Sequence, residues 1–331
     1  MIEIVARSGA MREALRLARR VAPTNANVLV TGESGAGKDA LAQFVHEHST
    51  RAARDLVKID CASLPAGLLE AELFGYERGA FTGAIAAKPG RLEAADGGTL
   101  VLDEVAHLST DAQAKLLRVI ERREFERLGG RRTVRVDARL VALTNVDLDE
   151  AVRRRAFRED LFYRLNVVRI DLPPLRERRE DVPALARQFL EKYAAKHGRR
   201  LKSLTAEAKS LLAGYEFPGN VRELANVVER AVIVAEGGRV EASDLPESVR
   251  AAVRVSSRRT MRPTLAEVED EYIHETLAAA GGNKTEAARV LGISRKNLYE
   301  RLARSGNKEV GGQRSEVSKR NADADETTTD L

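Results

Sequence analysis

Cysteine and aromatic residues are scarce in this chain. Cys61 is the one cysteine in 331 residues, so no internal disulfide can form and a reducing cytoplasm is the natural setting. Tryptophan is absent and aromatics make up 4% of the chain, so a phenylalanine placed outside a core needs a reason. No apolar run approaches the roughly 18 residues that cross a bilayer. The N-terminus, "MIEIVARSGAMREALRLARR", lacks the apolar centre of a secretory signal. No internal repeat is visible. Neither charge sign dominates, since 55 basic against 50 acidic residues leave +5, which permits nucleic-acid binding without establishing it. A content of 43% hydrophobic and 32% charged residues describes a water-soluble globular protein, long enough for about two domains.

Short apolar runs alternate with helical patterns from 1 to 172. "NVLVTG" (27–32), "TLVLDE" (99–104) and "RLVALTN" (139–145) read as strands ending in polar residues, with amphipathic "DALAQFVHEH" (39–48) and "TDAQAKLLRVIERREF" (110–125) between them. This alternation predicts an α/β fold, a mostly parallel sheet with helices on both faces. The prolines of "DLPPLRERREDVP" (171–183) break the pattern. The segment 173–250 then reads as a small all-α domain, 251–263 as a linker, 264–305 as a compact helical module and 306–331 as a disordered tail.

"GESGAGK", from Gly32 through Glu33, Ser34, Gly35, Ala36 and Gly37 to Lys38, follows a strand and opens a helix. Its G-x-x-x-x-G-K spacing is that of a phosphate-binding loop. Backbone N–H groups close around phosphates, the helix N-terminus adds positive potential, and Lys38 reaches the β/γ oxygens of ATP. Asp39 stands where the general motif has a Mg²⁺-binding hydroxyl, so a carboxylate there would face the metal's water shell. "GGTLVLDE" delivers two acids to a strand's carboxyl end, Asp103 to hold Mg²⁺ and Glu104 to polarise the attacking water. Thr144 and Asn145 end another strand and can orient the water or sense the γ-phosphate. In "RRRAFREDLFYRLN", Arg158 and Arg164 lie about 240° apart on an ideal helix and cannot share a face. An arginine donated by a neighbouring subunit is a common ATPase device, and it requires an oligomer. In "FPGNVREL", Asn220 reads as an N-cap with Glu223 as its capping-box partner, leaving Arg222 on the first turn to reach a nucleotide under a lid.

Two further segments stand apart. "GYERGAFTGAIAAKPGR" (75–91) places Phe81 and Thr82 between Gly79 and Gly83, which argues for a mobile loop. "GGNKTEAARVLGISRKNLYERLARSG" (281–306) reads as helix, turn, helix. Ala287, Ala288 and Leu291 form one apolar face, Gly292 permits the turn, and Ser294 caps a second helix whose Leu298 and Leu302 pack inward. Arg295, Lys296, Asn297, Tyr299 and Arg301 fall on or near its outer side, suited to the major groove of double-stranded DNA, with Lys284, Thr285 and Arg289 beside them toward the backbone. Six basic residues (Lys284, Arg289, Arg295, Lys296, Arg301, Arg304) against two acids (Glu286, Glu300) favour DNA over a protein contact.

Taken together, from about residue 4 to 305, the chain resembles the NtrC-like enhancer-binding proteins, the AAA+ activators of sigma-54 RNA polymerase. "GESGAGKD", "GAFTGA", "GGTLVLDE", "FREDLFYRLNVVRIDLPPLRER", "FPGNVREL" and a Fis-type "GGNKTEAARVLGISR" occur in the family's order. The resemblance implies an AAA+ P-loop ATPase with an α-helical lid and a C-terminal helix-turn-helix, assembled as a hexameric ring that binds DNA upstream of promoters. With ATP and Mg²⁺, that ring remodels the closed complex of sigma-54 RNA polymerase holoenzyme. It makes Gly79, Ala80, Phe81, Thr82, Gly83 and Ala84 the sigma-54 contact, with Phe81 as a hook. Thr144 and Asn145 match the first sensor, Arg158 and Arg164 the arginine fingers, and Arg222 the second sensor. The family often has Glu where this chain has Asp39. Asp60 stands where the family commonly has an Asn that restrains the catalytic glutamate, and an acid there would repel Glu104. Phe217 replaces a usual tryptophan. Many relatives carry a regulatory domain before the ATPase, whereas this chain begins almost at the ATPase itself. Regulation by a separate protein, regulation by expression level and a truncated gene product all stay open. Two competing readings are a DNA-binding regulator acting by occupancy, with ATP used for assembly, and a remodeller of another target. Neither explains an intact GAFTGA loop.

Overall fold

The computed structural model describes residues 4–251 and 265–302, so the expected linker beyond residue 251 and the expected tail lie outside the described residues. The chain divides into two units, Met1–Val253 and Arg254–Leu331, and the expected boundary at 172/173 falls inside the first.

The first unit holds the following strands and helices that position the site. The strands are β1 (Val28–Thr31), β2 (Leu56–Asp60), β3 (Thr99–Asp103), β4 (Glu124–Glu126), β5 (Thr133–Arg135), β6 (Arg139–Thr144) and β7 (Val168–Asp171). The helices are α1 (Gly9–Val21), α2 (Lys38–Glu47), α3 (Ala66–Phe74), α4 (Arg91–Ala94), α5 (Thr110–Arg122), α6 (Leu148–Arg153), α7 (Glu159–Leu165), α8 (Val182–Lys196), α9 (Ala206–Gly214) and α10 (Asn220–Val234). Five strands form one parallel sheet in the order β2-β3-β6-β1-β7, as the alternation of strands and helices predicts. The amphipathic run 110–125 does not stay helical to its end. Arg123 turns left-handed at φ 57 and the chain enters β4, which pairs with β5 as an antiparallel ribbon.

Both sheet faces are covered, which is why the strands read as continuous apolar runs. Side chains alternate across the sheet. Leu29, Leu100, Leu102, Leu140 and Ala142 meet the core beneath α3, α5 and α7. Val28, Val30, Val101, Val141 and Leu143 meet the opposite core, with α1 and α2. Each such aliphatic residue, fully buried, contributes on the order of 1.5–3 kcal/mol. Parallel stacking brings the carboxyl ends of β1, β3 and β6 to one edge, where the phosphate loop and both candidate acids emerge.

The lid, α8 to α10, closes over a separate core containing Leu190, Leu212, Phe217, Leu224 and Val228. It is not purely helical, because Ser203–Leu204 pairs in parallel with Arg239–Val240. A buried carboxylate fastens the lid to the start of the chain. Asp181 accepts hydrogen bonds from the backbone N–H groups of Arg7 (2.5 Å) and Ser8 (2.8 Å) and from the Ser8 hydroxyl (3.1 Å). Ser8 in turn caps α1 by accepting from the N–H of Met11.

In the second unit, helices Leu265–Ala279, Lys284–Val290 and 295–302 surround Ile273, Ala287, Ala288 and Leu298. Asn283 caps the middle helix by accepting from the N–H groups of Thr285 and Glu286. Gly292 supplies a left-handed φ of 65 at the turn, and Ser294 caps the last helix through the Asn297 N–H, as expected.

Asp181→Ala removes three buried hydrogen bonds at once. The expected loss of unfolding free energy is on the order of 2–4 kcal/mol. Urea titration checks it, and an unchanged midpoint would show that the lid is held to the N-terminal segment by other contacts.

Candidate active site

Between β1 and α2 the chain wraps around an open space at the sheet edge. Lys38, buried at the start of α2, donates to the carbonyl oxygens of Gly32 (2.9 Å) and Glu33 (3.4 Å). Its Nζ lies 3.6 Å from Glu104 Oε1. Gly35 sits at φ 75 and a β-carbon there would collide with the carbonyl of Gly219, so the lid's close approach requires glycine.

Asp103 is the last residue of β3, in register with Asp60 of β2. Glu104 follows in the left-handed region, at φ 52 and ψ 51, an uncommon conformation for a residue with a side chain. Its carboxylate accepts from the N–H of Asn145 at 3.2 Å and faces Lys38. Asp60 and Glu104 take different hydrogen-bond partners. The Asp60 carboxylate turns to the Ala62 N–H at 2.9 Å, and no hydrogen bond joins the two acids among the described residues. Burial, reinforced by Asp60, Asp103 and Glu104, pushes the Cys61 thiol up to about 12, so it stays protonated at neutral pH.

Lys58 is a site residue that motif reading missed. Its Nζ lies 2.7 Å from Asp103 Oδ2 and also pairs with Asp39 Oδ1, so one ammonium bridges both candidate metal carboxylates. Burial disfavours its charge, but hydrogen bonds to Asp103 and Asp39 outweigh that and hold its pKa above the ordinary lysine value. A pair of carboxylates already gathered around a cation fits Mg²⁺, which takes one or two protein carboxylates and fills its shell with water and phosphate oxygens.

The lid completes the site, and Asn220 does so in a way its sequence context does not suggest. Gly219, not Asn220, is the N-cap of α10, and the Glu223 carboxylate accepts from the Gly219 N–H at 2.8 Å. Asn220 itself is fully buried at φ 54. Its amide donates to Glu33 Oε2 (3.0 Å) and to the Ser34 carbonyl (3.1 Å), and it accepts from the N–H of Leu175 (2.7 Å). A left-handed asparagine can turn its side chain toward the phosphate loop, where a regular N-cap would fold it over its own helix. Val221 N–H donates to the Gly35 carbonyl at 3.0 Å, and Arg222 reaches the Ser34 hydroxyl at 2.9 Å. Arg176 grips Glu33 at 2.7 Å, and buried Arg178 donates to the Ala36 carbonyl. Hydrogen bonds from Arg176 and Asn220 hold the Glu33 carboxyl below the usual carboxylate range. The resulting cleft, about 250 Å³, is lined by Ser34, Lys38, Asp39, Asp103, Glu104 and Arg222, with Phe189 and Tyr193 among the lid residues facing them.

Other expected site residues lie elsewhere. Thr144 is buried, and its hydroxyl accepts from the Val146 N–H at 3.0 Å rather than lining the cleft. Asn145 meets Glu104 through its backbone. Arg158 precedes α7 and Arg164 lies in its last turn; both are outside the cleft lining, the first paired with Asp160 (2.7 Å) and the second with Glu121 (3.1 Å). The loop 79–84 sits between β2 and β3 in the chain. Gly79 N–H donates to the Ala84 carbonyl at 2.8 Å, and Ala84 is buried. Phe81 meets Tyr76 edge-on at 5.0 Å yet stays 41% exposed, and Thr82 and Gly83 are exposed beside it. Ile85, which no motif marks, is 85% exposed and extends this apolar tip. At the loop's root Tyr76 and Lys88 exchange backbone hydrogen bonds, and Gly75 and Gly90 cross so closely that a β-carbon on either would strike the other's N atom.

In the second unit, Lys284 lies 4.8 Å from the ring centre of exposed Tyr299, and Arg295 donates to Thr285. These four side chains therefore form one surface across two helices, with Lys296 exposed. Arg289 pairs with Glu286 at 2.6 Å. Arg301 departs from the expected outer position. It is half-buried, pairs with Glu269 and donates to the Asn297 side chain at 2.8 Å.

Comparison with known proteins matches this geometry. Residues 4–171 match the Sigma-54 interaction domain, 176–261 an AAA+ ATPase lid domain, and 264–304 the bacterial regulatory proteins of the Fis family. The chain is 46% identical over 315 residues to the transcriptional regulatory protein FlbD of Caulobacter vibrioides, covering 90% of this chain and 69% of that one. It is 48% identical over 304 residues to ZraR of Klebsiella oxytoca, covering 91% and 68%. The crystal structure of NtrX from Brucella abortus in complex with ADP superposes with a TM-score of 0.72 at 35% identity, over 92% of this chain and 70% of that one. An ATP complex of the same protein gives the same values.

Glu104→Gln is expected to bind ATP about as well as the unaltered chain and to hydrolyse it roughly 10²–10⁴-fold more slowly. Binding of a fluorescent ATP analogue and release of phosphate measure the two separately, and unaltered turnover would remove Glu104 from the role of base.

Proposed function

Because the chain belongs to the family of sigma-54-dependent AAA+ transcriptional activators, we propose that it hydrolyses ATP under its lid and uses the cycle to remodel promoter-bound sigma-54 RNA polymerase. The phosphate loop and Lys38 bind the phosphates, with Arg222 closing from the lid. Mg²⁺, held by Asp103 with Asp39 on its water shell, would neutralise phosphate charge. Glu104 takes a proton from the attacking water, and its left-handed backbone with the Asn145 N–H fixes the carboxylate's direction. Arg158 and Arg164 are exposed and lie outside the lining of their own cleft, which supports their serving the site of a neighbouring subunit in a ring, such as a hexamer.

One observation carries the reading. The loop with half-exposed Phe81 is inserted between β2 and β3, the two strands that bring Lys58 and Asp103 to the cleft. A change at the phosphates can therefore reach the loop through the segments that join it to these two strands, which include α3 and α4. Phe81, Thr82 and Ile85 offer a compact apolar contact for sigma-54. The surface of Lys284, Thr285, Arg295 and Tyr299 takes double-stranded DNA and keeps the ring near its promoters.

Sigma-54 capture tests this. With ADP and aluminium fluoride, the chain should form a stable complex with sigma-54 on a native gel, and Thr82→Ala should abolish it while ATP turnover persists. Normal turnover without capture by the unaltered chain would favour a regulator acting by DNA occupancy. Separately, Arg295→Ala should weaken specific DNA binding by about tenfold or more, as expected for loss of a base contact worth roughly 1–3 kcal/mol, with ATPase activity intact. An unchanged footprint would overturn the DNA-contact assignment.

A further inference from the structure

The Lys58 bridge has no place in the hydrolytic roles above, and it sits on the two carboxylates that would receive the metal. Its ammonium contacts Asp103 Oδ2 at 2.7 Å and Asp39 Oδ1, while Lys38, the lysine of the phosphate loop, points at Glu104 and the loop carbonyls. The two lysines therefore divide the acids between them. Lys58 projects from β2, whose pairing with β3 runs in register through Asp60 and Asp103, so the rigid sheet sets its position. Its side chain is 42% exposed and has solvent to move into.

We propose that Lys58 is a positioning residue with a built-in competitive role: its ammonium gathers Asp39 and Asp103, and a divalent cation must displace it to take the same oxygens. The inference rests on the reading of the cleft as an ATP–Mg²⁺ site. The bridge prevents two carboxylates from repelling each other when no metal neutralises them. It also weakens metal binding, because each cation that enters must first break two charge-assisted contacts. The site thus takes its metal together with a nucleotide, whose phosphates add the negative charge needed to shift the balance.

The test is a titration of the full chain with Mn²⁺ alone, free ion being read by electron paramagnetic resonance. Lys58→Met should bind Mn²⁺ more tightly, with the half-saturating concentration lowered about tenfold. Lys58→Arg, which keeps the charge, should restore the unaltered value or nearly so. Without divalent cation Lys58→Met should melt below the unaltered chain, and saturating Mn²⁺ should close the gap. A merely structural lysine would not make metal binding tighter when removed. Lys58→Gln, with a shorter neutral chain, gives the same readout should Lys58→Met fold poorly. Asp103→Asn separates the two ideas. If it weakens Mn²⁺ binding while Lys58→Met leaves it unchanged or weaker, the Lys58 proposal is overturned and the metal reading stands. If Asp103→Asn binds Mn²⁺ as the unaltered chain does, the metal reading fails and the Lys58 proposal with it.

Discussion

One buried amide, that of Asn220, holds the lid against the phosphate loop, and the shape of the cleft depends on it. It donates to Glu33 and to the Ser34 carbonyl and accepts from Leu175, so it satisfies groups on the loop, on the segment leaving the sheet and on the lid at once. Around it Arg176 grips Glu33, Val221 bonds Gly35, and Arg178 bonds Ala36. Buried polar groups paired across several segments favour one arrangement, because a displacement leaves several of them unpaired together. Here the arrangement specified is a lid seated on the loop, which places Arg222 over Ser34.

Electrostatics divide the same cleft into two halves. Lys38 and the Asn145 N–H hold Glu104, whereas Lys58 holds Asp39 and Asp103. Four acidic groups, counting Asp60, crowd one sheet edge: Asp39 and Asp103 share Lys58, Glu104 faces Lys38 and the Asn145 N–H, and Asp60 turns to the Ala62 N–H. Asp60 and Glu104 accept from different N–H groups, those of Ala62 and Asn145. The left-handed backbone at Glu104 belongs to the same solution, since it turns the carboxylate away from β2 toward β6 and α2.

The parts of the fold with a strong local signal were legible in the sequence. Apolar runs bounded by polar ends marked the strands that became β1, β3 and β6 nearly residue for residue, and the loop opening at Gly32 marked the nucleotide side of the sheet. Pairings across the chain were not legible. Lys58 carries no motif, and its meeting with Asp39 and Asp103 follows from the adjacency of β2 and β3, which spacing does not encode. Asn220 was misread because a local capping box and a distant clasp use the same residue type, and only a positive φ separates them. Arg301 was placed outward by helical periodicity, but Glu269, on a helix that starts before the turn, draws it in. Periodicity names a face and says nothing about which charges that face will meet.

The crossing of Gly75 and Gly90 has a consequence for sequence variation. At that point two main chains fill the space that side chains would need, and enlarging either residue pushes directly on the other's backbone. A compensating change cannot be made small, because neither position has anything left to give up. The tip of the loop is the reverse: Thr82 and Ile85 are open to solvent, and Gly83, at φ 107, is limited by its own backbone rather than by neighbours. Packing thus leaves the side chains of Thr82 and Ile85 to be chosen by the surface they meet, whereas at the root the crossing main chains make the choice.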